Sequence, residues 1–239
     1  MKLLISCQKC LTEDKINDLN FVEVEMCDDG IYKMTCDKGH ESTTFIQEQK
    51  FEILFDLGAM AFMDGYYREA VSSFAASLER FYEFCIEAII SSKNIDYDHY
   101  LKTWKMVATQ SERQAGAFYF LYLNEFEEAP APAEQKQVEF RNNVIHKGYI
   151  PKRKETFEYG NFVLKYIYNV AKKIRSKHKI GVEKVVNRKR LINGPKHESY
   201  STISIPTIIH MSMPDNEFGV KSFEESLQRL AEYREFFTK

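Results

Sequence analysis

Apolar positions recur at helical spacing from about residue 48 onward and alternate at strand spacing before it. Phe51, Leu54, Phe55, Leu57, Ala61 and Phe62 mark a helix over 48–63, which Asp64-Gly65 breaks. A second helix runs over 66–90 on the stripe Tyr67, Ala70, Val71, Phe74, Leu78, Phe81, Cys85 and Ile89, so the two make a helical hairpin. A third helix is predicted over 99–125, ended by Ala129-Pro130-Ala131-Pro132. A fourth spans 134–147 and stops at Gly148 and Pro151, and a fifth spans 155–177 on Phe157, Phe162, Val163, Tyr166, Ile167 and Val170. The pattern predicts a mainly α fold, an antiparallel helical bundle over 48–177. "DGYYREA" has no second copy at the 34-residue period of a tetratricopeptide array, so a repeat fold is not expected.

The first block, 1–47, reads differently. Phe21, Val22, Val24 and Met26 form one strand candidate; Asp29-Gly30 signals a hairpin; Ile31–Thr35 and Ser42–Ile46 supply two more strands. Cys7-Gln8-Lys9-Cys10 sets two thiols in one tight turn, and Cys36-Asp37-Lys38-Gly39-His40 offers a thiol and an imidazole in another. Two such turns make the halves of a tetrahedral zinc site. Two knuckles bridged by a short sheet resemble a zinc ribbon. Cys7, Cys10, Cys36 and His40 are the expected ligands of a structural Zn2+, with Cys27 as an alternative that lacks a partner ligand in its own turn. A redox CxxC would open a helix after a strand; Leu11-Thr12-Glu13 reads instead as the continuation of a knuckle. A block this small buries too little surface to fold alone, so the metal supplies much of its stability.

Composition narrows the classes. The formal charge of −2 gives no whole-chain argument for nucleic acid or membrane. No apolar run reaches the roughly 18–20 residues of a membrane span, and MKLLISC is too short for a signal peptide. Five cysteines in this pattern do not read as a disulfide framework. The expected location is cytoplasmic. Residues 1–46 hold nine acidic and five basic side chains, a poor grip for phosphates, so this block reads as a fold-stabilising or protein-contacting cap.

Chemistry is concentrated in the fourth helix, Glu139-Phe140-Arg141-Asn142-Asn143-Val144-Ile145-His146-Lys147-Gly148. At about 100° per residue, Val138, Arg141, Asn142 and Ile145 share a face, and His146 flanks Asn142. A guanidinium, an amide and an imidazole thus interrupt a stripe that should face other helices, where polar groups need partners or a task. Arg141 can hold a phosphate with its fork of donors, and His146 suits proton transfer near neutral pH. The alternative is a helix-end set in which Arg141 pairs with Glu79 or Glu83; Glu79 is also a candidate third site member, orienting Arg141. Arg-x4-His near a helix end in a small bundle, here "RNNVIHKG", together with the "REAVSSFAASLERF" hairpin helix, resembles the HEPN family. The resemblance covers 48–177. It implies a metal-independent endoribonuclease of antiviral-defence or toxin type, working as a homodimer in which two Arg/His pairs meet, with RNA as substrate and an antitoxin or other regulatory protein as a further partner. Some members carry R-x4-H-x-Y; Tyr149 falls one place late for that variant. Other members are inactive and only bind, which leaves a zinc-ribbon and helical adaptor as the second reading.

The remainder, 178–239, is expected to be a basic linker followed by a strand-like stretch (199–213) and an amphipathic helix (222–237). From Lys172 to Arg190 nine residues are basic (Lys172, Lys173, Arg175, Lys177, Lys179, Lys184, Arg188, Lys189 and Arg190) and one is acidic. With Lys147, Lys152, Arg153 and Lys154 after His146, the run predicts a basic rim that attracts RNA.

Overall fold

The computed structural model describes residues 2–13, 20–130, 135–196, 200–214, 217–219 and 222–238. The chain is mainly helical with a small sheet region at its N-terminus. The helices α2 (Lys50–Met63) and α3 (Tyr67–Ser92) form the expected hairpin. Gly65 makes the turn at φ +84°, where a side chain would be strained. α3 is central: α2, α5 (Ser111–Phe126), α6 (Gln135–Lys147), α7 (Arg153–Lys177) and α8 (Lys179–Asn193) all pack on it. Its stripe is buried as the pattern requires, with Phe74, Phe81, Cys85 and Ile89 sealed from water. Phe74 stands at an aromatic crossing, 4.9 Å from Phe55 and 5.7 Å from Phe223 between ring centroids.

Several expectations need correction. The single helix over 99–125 is two, α4 (Tyr97–Val107) and α5, broken at an extended Gln110. Neither Gly nor Pro marks the break. What holds it is Gln114, buried and donating from Nε2 to the Ala108 carbonyl (2.6 Å) while accepting from Arg80 (2.6 Å). The basic linker is instead helix α8, seated so closely on α3 that a Cβ on Gly181 would lie 1.9 Å from the Ala88 carbonyl oxygen. The strand-like stretch yields only β5 (Tyr200–Ile203), and the chain then crosses α2 as an irregular strap before α9 (Phe223–Thr238). The Ala131-Pro132 break and the side chain of Lys189 lie outside the described residues.

The N-terminal block also departs from a simple ribbon. A strand β1 (Lys2–Ser6), absent from the sequence reading, pairs antiparallel with β2 (Phe21–Glu25). Asp29-Gly30 does turn the chain, with Gly30 at φ +65°, but no hairpin ladder joins β2 to β3 (Ile31–Thr35). β3 pairs with β4 (Glu41–Ile46), and β5 adds in parallel to the far side of β4. Inward residues of both sheets, Leu3, Ile5, Tyr32, Met34 and Ile46, make a small core closed by Ile205 from the strap. The C-terminal segment is therefore structural material for the N-terminal block. Gln8–Glu13 form a short helix, α1, directly after β1, so the local argument against a redox CxxC fails. Among the described residues no helix is long and apolar enough to cross a membrane.

Candidate functional site

Two places bring chemistry-bearing side chains together. The first is the Cys/His cluster. The link between β1 and α1 delivers Cys7, α1 delivers Cys10, and the β3–β4 turn delivers Cys36 and His40. The turn closes through Gly39, at φ +80°, whose N–H donates to the Cys36 carbonyl (2.8 Å). All three sulfurs are buried, and the four donor atoms lie within 4.8 Å of one another. Cys10 Sγ is 3.8 Å from Cys36 Sγ and 3.4 Å from His40 Nδ1, and Cys7 Sγ is 3.9 Å from His40 Nδ1. Tetrahedral zinc with Zn–S of about 2.3 Å and Zn–N of about 2.0 Å requires donor edges of roughly 3.5–3.8 Å. The observed spacing fits a metal ion. It is too long for S–S bonding, which needs about 2.05 Å.

Electrostatics agree with that fit. Burial, then the neighbouring thiols of Cys7 and Cys36, push the Cys10 thiol up to about 12. Cys36 moves the other way: against the cost of burial, backbone N–H groups of His40 and Lys38 hold its thiol below the ordinary value. Packing three sulfurs in a dry site is costly without a cation to take them as thiolates. Cys27 is not among the four; its Sγ donates to Asp29 Oδ1 at 3.1 Å. The set is consistent with a metal site, and it was legible in the sequence residue by residue.

The second place is a cavity of about 230 Å³ among α3, α5, α6 and α7, open to solvent. Arg141, Asn142 and Glu79 line it beside Tyr82, Tyr119, Tyr159 and Phe162. Arg141 donates from Nη2 to Glu79 in an ion pair and from Nη1 to Asn142 Oδ1 (3.0 Å). The fold thus joins three of the four candidate residues. His146 does not line this cavity; it stands exposed in the last turn of α6, ahead of Gly148 at φ +70°. One chain alone does not put the imidazole beside the guanidinium in the cavity.

Part of the predicted basic rim is engaged within the chain, while Lys147, Lys152, Arg153, Lys154, Lys172 and Arg190 stand exposed. Lys173 pairs with Glu128, Arg188 with Glu87 (2.6 Å), and Lys177 bonds the Glu125 carbonyl. Lys184 is held by Asn94 (2.8 Å), and Arg175 donates to the Met211 and Met213 carbonyls (2.5 Å each). These cations tie α7 and α8 to α3, to the end of α5 and to the segment after β5.

Sequence reasoning missed the largest group of buried charges. Among the described residues, Glu48, just before α2, and Glu52 and Asp56, four apart on that helix, are 1%, 2% and 3% exposed. Their spacing was the available signal, because a helix face that carries acids every fourth residue among phenylalanines points them inward. No family profile, curated protein or solved structure matches the chain.

Proposed function

We propose that this chain is a ribonuclease of HEPN type, built on a helical bundle and stapled at its N-terminus by zinc. The observation that carries the reading is that Arg141 and Asn142, the first half of the R-x4-H motif, open onto a solvent-reachable cavity while His146 is exposed on the same helix. An exposed histidine beside a cavity-lining arginine suits a site completed by a second copy. There His146 of one chain takes the ribose 2′-hydroxyl proton, the oxygen attacks phosphorus, and the 5′-oxygen leaves with a proton returned to it. Arg141 offsets the charge on the phosphorane. Cys7, Cys10, Cys36 and His40 hold the zinc in a closed set of four, which supplies folding energy and leaves no position for substrate.

A second reading, a non-catalytic adaptor that binds RNA, a nucleotide or a protein, is favoured by the Glu79–Arg141 ion pair, which commits the guanidinium inside the chain. Labelled single-stranded RNA incubated with the purified protein in EDTA separates the two. Cleavage by the wild type, lost by at least a hundredfold in His146→Ala and Arg141→Ala, supports the nuclease. Binding without cleavage supports the adaptor.

A further inference from the structure

The strap after β5 is held by carboxylates rather than by a sheet. Ile205 N–H donates to Glu48 Oε1 (3.0 Å), Ile208 N–H to Asp56 Oδ1 (3.0 Å), and Met211 N–H to Glu52 Oε1 (2.5 Å). The acids present three rungs of a ladder, and the strap lays one backbone donor on each. All three are buried, and two or three negative charges so close together in a dry site oppose one another. The cations and titratable groups facing them are few. His210 on the strap has Nε2 3.6 Å from Glu48 Oε1, and burial keeps its imidazole toward the neutral form. From α7 come Arg175, which donates to the Met211 carbonyl, and Tyr168, which donates to the Ile208 carbonyl (2.8 Å). From α9, Tyr233 lies within electrostatic reach of Asp56 and Glu48, and Arg229 within reach of Tyr168.

Geometry bears on which carboxylate carries a proton, because Asp56 accepts fewer bonds than either glutamate. Glu52 accepts on both oxygens, from Met211 N–H and from Gln49 N–H (2.5 Å), as an ionised capping-box glutamate does. Glu48 Oε1 accepts from both Ser204 Oγ (2.7 Å) and Ile205 N–H. Among the described residues, Asp56 accepts through Oδ1 alone, so Oδ2 can be the hydroxyl of a neutral acid without loss of a bond.

We propose that the strap Ser204–Met211 is a proton-dependent latch: Asp56 holds a proton while the latch is shut, and losing it frees the strap from α2. Burial raises Asp56 to about 8, so the proton is held at neutral pH and lost on mild alkalinisation. Because β5 belongs to the sheet beside the Cys/His cluster and α9 packs on α2, opening the latch uncouples that sheet from the bundle.

The test is amide hydrogen exchange of the full chain at about pH 6.5 and about pH 9, corrected for the intrinsic rate, with bundle peptides from α3 as internal reference. In the wild type, strap amides should lose about tenfold or more protection at the higher pH while α3 does not. Asp56→Asn, which keeps the acceptor oxygen and mimics the neutral acid, should remain protected at both. Strap protection that does not depend on pH in the wild type, or an Asp56→Asn strap that opens with pH just as the wild type does, overturns the latch. Should Asp56→Asn fail to fold, the infrared carbonyl band of a protonated carboxyl in the wild type decides. Its presence at the lower pH and loss in step with strap opening support the proposal; its absence at the lower pH overturns it.

Discussion

Single residues here are set against their own ordinary chemistry, and the consequences can be measured. Burial pushes Asp56 up to about 8, far above the 3.8 of the exposed group. Between those limits the folded chain binds more protons than the unfolded one, so stability falls as pH rises through this window and the loss is complete above about 8. His178 and His210 act in the opposite sense. Burial lowers both below 6.5, so the unfolded chain binds more protons as pH drops past that value and stability falls on the acid side. Thermal unfolding followed across pH should therefore show the melting temperature falling between about pH 6.5 and about pH 8, where the buried carboxyl titrates and these imidazoles are already neutral. A melting temperature still climbing at about pH 9 would contradict these burial effects. Phe74, fully buried against Phe55 and Phe223, gives a second test: Phe74→Ala should cost about 3–5 kcal/mol in denaturant unfolding.

At the scale of elements, two glycines separate close packing from mere flexibility. Gly181 lets α8 lie against the α3 backbone, and a Cβ there would sit 1.9 Å from the Ala88 carbonyl oxygen. Gly181→Ala should cost at least about 1–3 kcal/mol by forcing the helices apart. Gly116 lies inside α5 with open space around it, so Gly116→Ala should stabilise by about 0.5–1 kcal/mol. Equilibrium unfolding of both variants checks the pair. The same elements show what the sequence could and could not reveal. α2, α3 and α7 were readable because long aromatic stripes repeat at helical spacing. α8 was hidden because its buried face is only Gly181, Val182 and Val185, while its lysines and arginines find acids and carbonyls on distant helices. The strap looked like a strand because its apolar residues alternate, yet its backbone donors go to α2 carboxylates that lie about 150 residues away in sequence, as 152 between Asp56 and Ile208. The four metal-site donors were readable because two short turns carry them. The approach of Glu79 to Arg141 was readable only as one pairing of two, since nothing in a helix wheel selects between Glu79 and Glu83.

For the whole molecule, the N-terminal sheets are held by the Cys/His cluster at one end and by β5 at the other, while the bundle has its own aromatic core. Stripping metal with a strong chelator, or Cys36→Ser, should raise amide exchange across β1–β4 by about tenfold or more and leave α3 and α7 protected. Elemental analysis should find about one zinc per chain in the wild type and much less in the variant. Uniform loosening of the bundle would instead mean that the cluster is part of the main core. The proposed nuclease activity rests on a different pair of groups, Arg141 and His146, and the chemistry of the product ends reports on it most directly. RNA digested by the wild type in EDTA should end in 2′,3′-cyclic phosphate opposite 5′-hydroxyl, the signature of attack by the ribose 2′-oxygen, with no such ends from His146→Ala. Intact RNA, or ends bearing 5′-phosphate, would contradict a nuclease built on Arg141 and His146.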